Sequence, residues 1–131
     1  MLMERGIQIF VAVNFLVIGL SHIFQRSAWI EFFAKLHSLG RLGPFAEGFL
    51  YMNFGAIIVS FHNVWTFPEA VLTLIGWVHI AKALVRFVAP AAVLRTYERM
   101  TMERAWQIQV AGGFLLALSA LFVLLPFREH S

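Results

Sequence analysis

The sequence predicts an all-α integral membrane fold, a four-transmembrane-helix bundle with an interfacial amphipathic helix between spans one and two. Three observations predict it. The 131 residues are 60% hydrophobic and 13% charged, where soluble domains carry roughly 45–50% and about 25%. The mean hydropathy is +0.79, and a soluble monomer this small, burying only about two-thirds of its unfolded surface, would expose extensive apolar patches. Four apolar runs, near residues 7–24, 45–64, 70–88 and 105–127, each suit the roughly 20 helical residues that cross about 30 Å of hydrocarbon. Residues 1–131 read as a single transmembrane domain.

The first run opens beside Glu4 and Arg5 and lacks a small-residue cleavage pattern, so it is expected to be a retained helix rather than a signal peptide. After it, Trp29, Phe32, Phe33, Leu36 and Leu39 recur at helical spacing, with Glu31 and Lys35 paired at i, i+4 on the other face. That segment is too short to span and predicts the interfacial helix, capped by Ser27 at its start and Gly40 at its end. Gly40, Gly43 and Pro44 break the chain before the second run. Asn63 to Pro68 is a tight turn, which forces runs two and three into an antiparallel hairpin. Pro68 and Glu69 are helix-start signals for the third run, the acid lying near the positive end of the helix dipole. Pro90 ends that run. The charged stretch Ala91 to Arg104, with Arg99 and Glu103 at i, i+4, predicts a second headgroup-associated helix before the fourth run. Trp29, Trp65 and Trp106 sit near span ends, where aromatic belts form.

Orientation follows from the cations. Arg26, Lys35, Arg41, Lys82, Arg86, Arg95, Arg99 and Arg104 fall on one side, against Arg5 and Arg128 on the other. The positive-inside rule then places both termini and the Asn63 to Pro68 turn away from the cytoplasm. A net charge of +3 fits topology and anionic headgroups rather than nucleic acid, which is not expected as a partner. The chain has no cysteine, which excludes disulfides, thiolate metal sites, iron–sulfur clusters and covalent c-type haem.

Chemistry in such a chain belongs to polar groups within the spans, because they are expensive in hydrocarbon. Asn14, Ser21, His22 and Gln25 share one side of the first helix; Glu47, Tyr51, Gly55 and His62 share one face of the second; Gly76, His79 and Arg86 align on the third. At about 1.5 Å of rise per residue, His22, Glu47, Tyr51, His79, Lys82 and Gln109 fall in the same cytoplasmic half. These six are the expected ligand-binding residues, and no metal site is expected. His62, Asn63, Thr66 and Glu69 form a smaller group at the opposite end. Plain structural roles compete with each: Lys82 and Arg86 as snorkelling anchors, Glu47 as a complement to a helix N-terminus, and His22 and His79 as packing residues. In the same vein Asn14 and Asn53 are interhelical hydrogen-bond partners, and the span glycines are close-packing points. Gly112, Gly113 and Ala117 give a small-residue face that packs either within the bundle or against a second copy.

The segments His22-Ile-Phe-Gln-Arg-Ser-Ala-Trp29, Phe61-His-Asn-Val-Trp65 and Leu74-Ile-Gly-Trp-Val-His-Ile-Ala-Lys82 together resemble a family of small four-helix bacterial inner-membrane proteins, similar to the DoxX-like group. The resemblance implies a multi-pass bundle in the bacterial inner membrane and carries over neither a reaction nor a catalytic residue.

Three functions are expected in order of preference. The first is a non-enzymatic module, either an accessory subunit of a membrane complex or a binder of a small lipophilic ligand such as a quinone, lipid or pigment. The second is a b-type haem or metal redox protein with His22 and His79 as ligands. The third is an acid/base enzyme using Glu47 and His79, with Lys82 stabilising an anion. GxSxG, HExxH and phosphate-binding glycine loops are absent. Homo-oligomers remain open, and transport is disfavoured because no internal repeat is present.

Overall fold

The computed structural model describes residues 2–124, with side chains from residue 5 onward. All regular structure among these residues is helical: α1 (Leu2–Phe24), α2 (Arg26–Ser38), α3 (Leu42–Phe61), α4 (Glu69–Val88), α5 (Pro90–Glu98), a 3-10 turn (Met102–Arg104) and α6 (Ala105–Leu124). Helices α1, α3, α4 and α6 are each long and apolar enough to cross a membrane, with mean hydropathies between 1.3 and 2.1. The predicted end of the fourth run at residue 127, and Arg128, lie outside the described residues.

Helix ends differ from expectation in instructive ways. Ser27 does not cap α2: the helix starts one residue earlier, and the Trp29 N–H bonds the Gln25 carbonyl at 3.1 Å. Gly40 does end it, with φ at +62° just past the Leu39 cap, a conformation that side-chain-bearing residues rarely adopt. The next turn is tighter still. A Cβ at Gly43 would lie 2.0 Å from the Leu36 carbonyl oxygen, so α3 starts at Leu42 rather than at 45, wedged against the end of α2. Pro44 is accommodated in that first turn because its missing N–H would be unpaired there anyway.

The long helices form two pairs, α1 with α6 and α3 with α4, the latter being the expected hairpin. Both pairs cross at glycines. A Cβ on Gly112 would lie 2.7 Å from the Gly19 carbonyl oxygen, and one on Gly55 would lie 2.6 Å from that of Gly76. Small residues let helix backbones approach and gain dispersion contacts. Gly113, by contrast, faces open space. The two pairs meet through a core of Ile7, Val11, Ala12 and Phe15 from α1, Ile58 from α3, Leu72 from α4 and Phe122 from α6.

Asn14 and Asn53 bridge no helices among the described residues. Each donates to the carbonyl four residues back on its own helix, Phe10 at 2.8 Å and Phe49 at 2.9 Å, so these amides are satisfied locally. The connecting helices α2 and α5 lie against each other at one end of the bundle. Leu36 packs with Val93 and Tyr97, Phe33 stacks on Tyr97 at 5.8 Å, and His37 Nε2 lies 3.2 Å from Glu98 Oε1. What the sequence presents as two separate surface helices is one packed layer, which brings Tyr97 over the ends of α3 and α4.

Candidate functional site

Glu47 sits in the second turn of α3 and is 7% exposed. A buried carboxylate needs donors. Two converge on the same oxygen: Arg86 Nε of α4 donates to Oε1 at 2.6 Å, and the Tyr97 hydroxyl of α5 donates to it at 2.6 Å. Short distances are expected where the acceptor is charged. Arg86 also donates from Nη1 to the Lys82 carbonyl at 3.0 Å, which fixes the guanidinium along α4. One carboxylate therefore ties three helices together. Burial, followed by the hydrogen bond to Glu47, pushes the Tyr97 phenol well above its ordinary range, so it serves as a donor at any physiological pH.

Tyr51 lies one turn beyond Glu47. Its ring receives the Arg86 guanidinium at 4.4 Å and Lys82 Nζ at 5.4 Å from the centroid, within cation–π range. The His79 ring is also 5.4 Å away, and it meets Phe54 at 4.7 Å and Phe15 of α1 at 6.4 Å. His79 Nδ1 donates to the Ile75 carbonyl at 2.8 Å. In the neutral ring that leaves Nε2 as the acceptor.

Beside this cluster runs an open groove of about 400 Å³ between α4 and α5. Lys82, Arg86 and Thr96 supply its polar part; Val78, Ala81, Val85 and Val93 supply most of the rest. Among the described residues Lys82 forms no ion pair, while Glu47 neutralises Arg86. The site therefore carries one net positive charge next to an apolar wall.

Of the six residues expected to share a site, Glu47, Tyr51, His79 and Lys82 are brought together and His22 and Gln109 are not. The latter belong to the α1–α2–α6 junction. His22 Nδ1 donates to the Ile18 carbonyl at 2.8 Å and its ring packs at a tilt against Trp29, 4.3 Å between centroids. Trp29 Nε1 donates to Ser21 Oγ at 2.9 Å. Gln109 accepts from Arg26 at 3.3 Å and donates to the Ile23 carbonyl at 3.1 Å. Equal depth gives equal height, not equal azimuth, and the α1/α6 and α3/α4 pairing separates the two groups. His22 also lies two turns, about 10 Å, along α1 from Phe15, the residue that touches His79. Among the described residues no group of three or more His, Cys, Asp or Glu is placed to hold a metal ion.

Two participants were not expected. Arg86 is an ion-pair partner rather than an interfacial anchor, and Tyr97 joins from a segment whose sequence predicts only a headgroup-associated helix. Val93 and Tyr97 at i, i+4, on the face of the segment away from Arg95 and Glu98, are the signal that could have found it.

At the opposite end, buried His62 donates from Nε2 to the Glu69 carbonyl at 3.0 Å, and Glu69 itself is fully buried. Thr73 clips the turn by donating to the Val64 carbonyl at 2.7 Å and accepting from its N–H at 3.0 Å. Asn63 Oδ1 accepts from Trp65 at 3.1 Å and Trp77 at 3.4 Å. Thr66 is exposed and contributes its carbonyl to the first turn of α4. These bonds close the hairpin. Comparison with known proteins gave no match among family models, curated proteins or solved structures.

Proposed function

We propose that this chain is an integral membrane protein that spans the bilayer four times and holds the polar end of a small lipophilic ligand at the α3–α4–α5 junction. The exterior supports the membrane reading: Leu50, Leu74, Val110 and Phe114 face outward at 54–68% exposure, a surface suited to hydrocarbon. Topology follows from charge. The packed α2/α5 layer gathers Arg26, Lys35, Arg95 and Arg99 at the same end as Lys82 and Arg86, which the positive-inside rule assigns to the cytoplasm. The resemblance to DoxX-like proteins supports taking that membrane as the bacterial inner membrane, and the charge asymmetry supports termini on its outer side.

One observation carries the ligand reading: an apolar groove of about 400 Å³ bordered by Lys82 and by Arg86, whose guanidinium is held from behind by Glu47. Small-molecule sites combine apolar walls with a few convergent polar groups. A packing role alone does not require the uncompensated Lys82 cation beside them.

The test is extraction. Protein purified in mild detergent is expected to yield an enriched organic compound by mass spectrometry, with its content reduced in Glu47→Gln and His79→Ala while helicity is retained. Unchanged content in both variants removes the ligand reading. Because the chain lacks cysteine, Trp65→Cys labelling tests the orientation, and reagent reaching residue 65 only from the cytosol overturns it.

A further inference from the structure

Resting on that reading, we propose that the α4–α5 groove binds an anionic phospholipid, its phosphate at Lys82 and an acyl chain along α4. Glu47 accepts from both Arg86 and Tyr97, so the one carboxylate in the cluster is already neutralised and does not repel an anion. Lys82 is the charge left over. A phospholipid of net charge −1, whose phosphodiester has no headgroup cation beside it, brings the site to neutrality, whereas zwitterionic phosphatidylcholine or an uncharged quinone ring or pigment leaves Lys82 unbalanced.

The apolar wall specifies the rest of the ligand. Val78, Ala81 and Val85 border the groove, and with Leu74 they follow i, i+4, i+7 and i+11 along one stripe of α4. Leu74 is 54% exposed, Val78 42% and Val85 45%. From Lys82 to Leu74 this stripe runs about 12 Å across the middle of the span, a track for a hydrocarbon chain that free phosphate would leave unused. Exposed Arg95 on α5 and Arg99 just past its end add positive potential at the same end.

The experiment uses the full chain in detergent, with native mass spectrometry and lipid-dependent thermal shifts. The probes are dioleoyl phosphatidylglycerol, dioleoyl phosphatidylcholine with the same chains, and glycerol phosphate without them. Wild type is expected to retain phosphatidylglycerol in preference to phosphatidylcholine. Lys82→Met keeps the aliphatic stem and is expected to reduce that preference about five-fold, the usual worth of one interfacial cation. Ala81→Trp fills the groove while keeping both of its cations and is expected to lower retention of both lipids. Circular dichroism confirms that each variant is folded.

An unchanged preference in Lys82→Met overturns the phosphate assignment. Equal protection by glycerol phosphate overturns the lipid assignment. Should phosphatidylglycerol show no preference while Ala81→Trp still releases a co-purifying neutral compound, this proposal fails and the ligand site stands. Should Ala81→Trp release nothing at all, both fail.

Discussion

The α1/α6 pair and the α3/α4 pair approach each other's backbones in the same way and then use polarity differently. Both cross at a glycine pair. In α1/α6, polar side chains end on the partner's main chain: Gln8 on the Phe122 carbonyl, Ser119 on Ala12 and Gln109 on Ile23. In α3/α4 the turn end also uses a main-chain carbonyl, His62 on Glu69, but at the other end side chains end on each other, Glu47 with Arg86, and the groups are charged. A side-chain-to-carbonyl bond is complete within its pair. A buried ion pair with a surplus cation is not, and it recruits Tyr97 from α5 and leaves Lys82 beside the groove. Shape therefore does not distinguish the pairs, and the state of charge does.

The sharpest way to break this contrast is to strand a charge. Arg86→Met leaves the Glu47 carboxylate, 7% exposed, without its counterion, and is expected to cost about 3–5 kcal/mol in detergent unfolding. The double variant with Glu47→Leu is expected to recover most of that loss, because an apolar pair replaces a charged one at little net cost. A double variant as unstable as Arg86→Met alone means the ion pair is not the source of the effect.

Next in size is the feature the pairs share. Gly55→Leu drives a side chain into the Gly76 carbonyl, 2.6 Å from the nearest possible Cβ, and is expected to cost about 3 kcal/mol through overpacking. Gly113→Leu, which enters open space, is expected to stay within about 0.5 kcal/mol of wild type. Thermal melts followed by circular dichroism compare the two. Equal losses would show that exposed and crossing glycines are not distinguished as described.

How far the sequence reveals this contrast depends on which physical rule applies. Helix faces are legible: Glu47, Tyr51 and Gly55 on α3 and Gly76, His79 and Arg86 on α4 align by 3.6-residue periodicity, and those faces do meet. Hairpin pairing of α3 with α4 is legible because a short turn permits nothing else. Pairing of α1 with α6 is not, since no local rule decides which neighbour a helix separated by the whole chain selects. That missing choice is why depth alone groups His22 and Gln109 with Glu47. Tyr97 stayed hidden for a related reason: a single phenol in a charged segment gains its meaning only when α2 and α5 pack together.

A smaller effect separates the roles of hydrogen bond and charge. Tyr97→Phe keeps the ring against Phe33 and removes one of the two donors to Glu47. The expected loss is about 1.5–2 kcal/mol, as for a bond to a charged acceptor. It also has a pH signature. Folding raises the phenol above its ordinary value of 10, so the folded state keeps a proton that the unfolded chain begins to release. The contribution is complete below about pH 10 and declines as pH rises, by up to about 1.4 kcal/mol per unit. With Tyr51→Phe as background, Tyr97 is the sole remaining tyrosine, and phenolate absorbance reports it directly. Ionisation at the ordinary value in the folded protein would contradict the burial of this hydroxyl against Glu47.

The mildest substitution tests the α1/α6 side. Ser119 Oγ donates to the Ala12 carbonyl at 2.7 Å, and Ser119 is 4% exposed. Ser119→Ala removes the donor and almost no volume, and Ala12 keeps its carbonyl within the α1 helix, where an i+4 N–H is available to it. The expected cost is about 0.6 kcal/mol, the usual size of an interhelical polar bond in a membrane bundle. Ligand retention at the α4–α5 groove is expected not to move, because Ser119 lies on the other helix pair. A loss near that of Tyr97→Phe, or a change in retention, would mean that the two pairs are coupled through the Ile58, Leu72 and Phe122 core rather than acting as separate halves of the bundle.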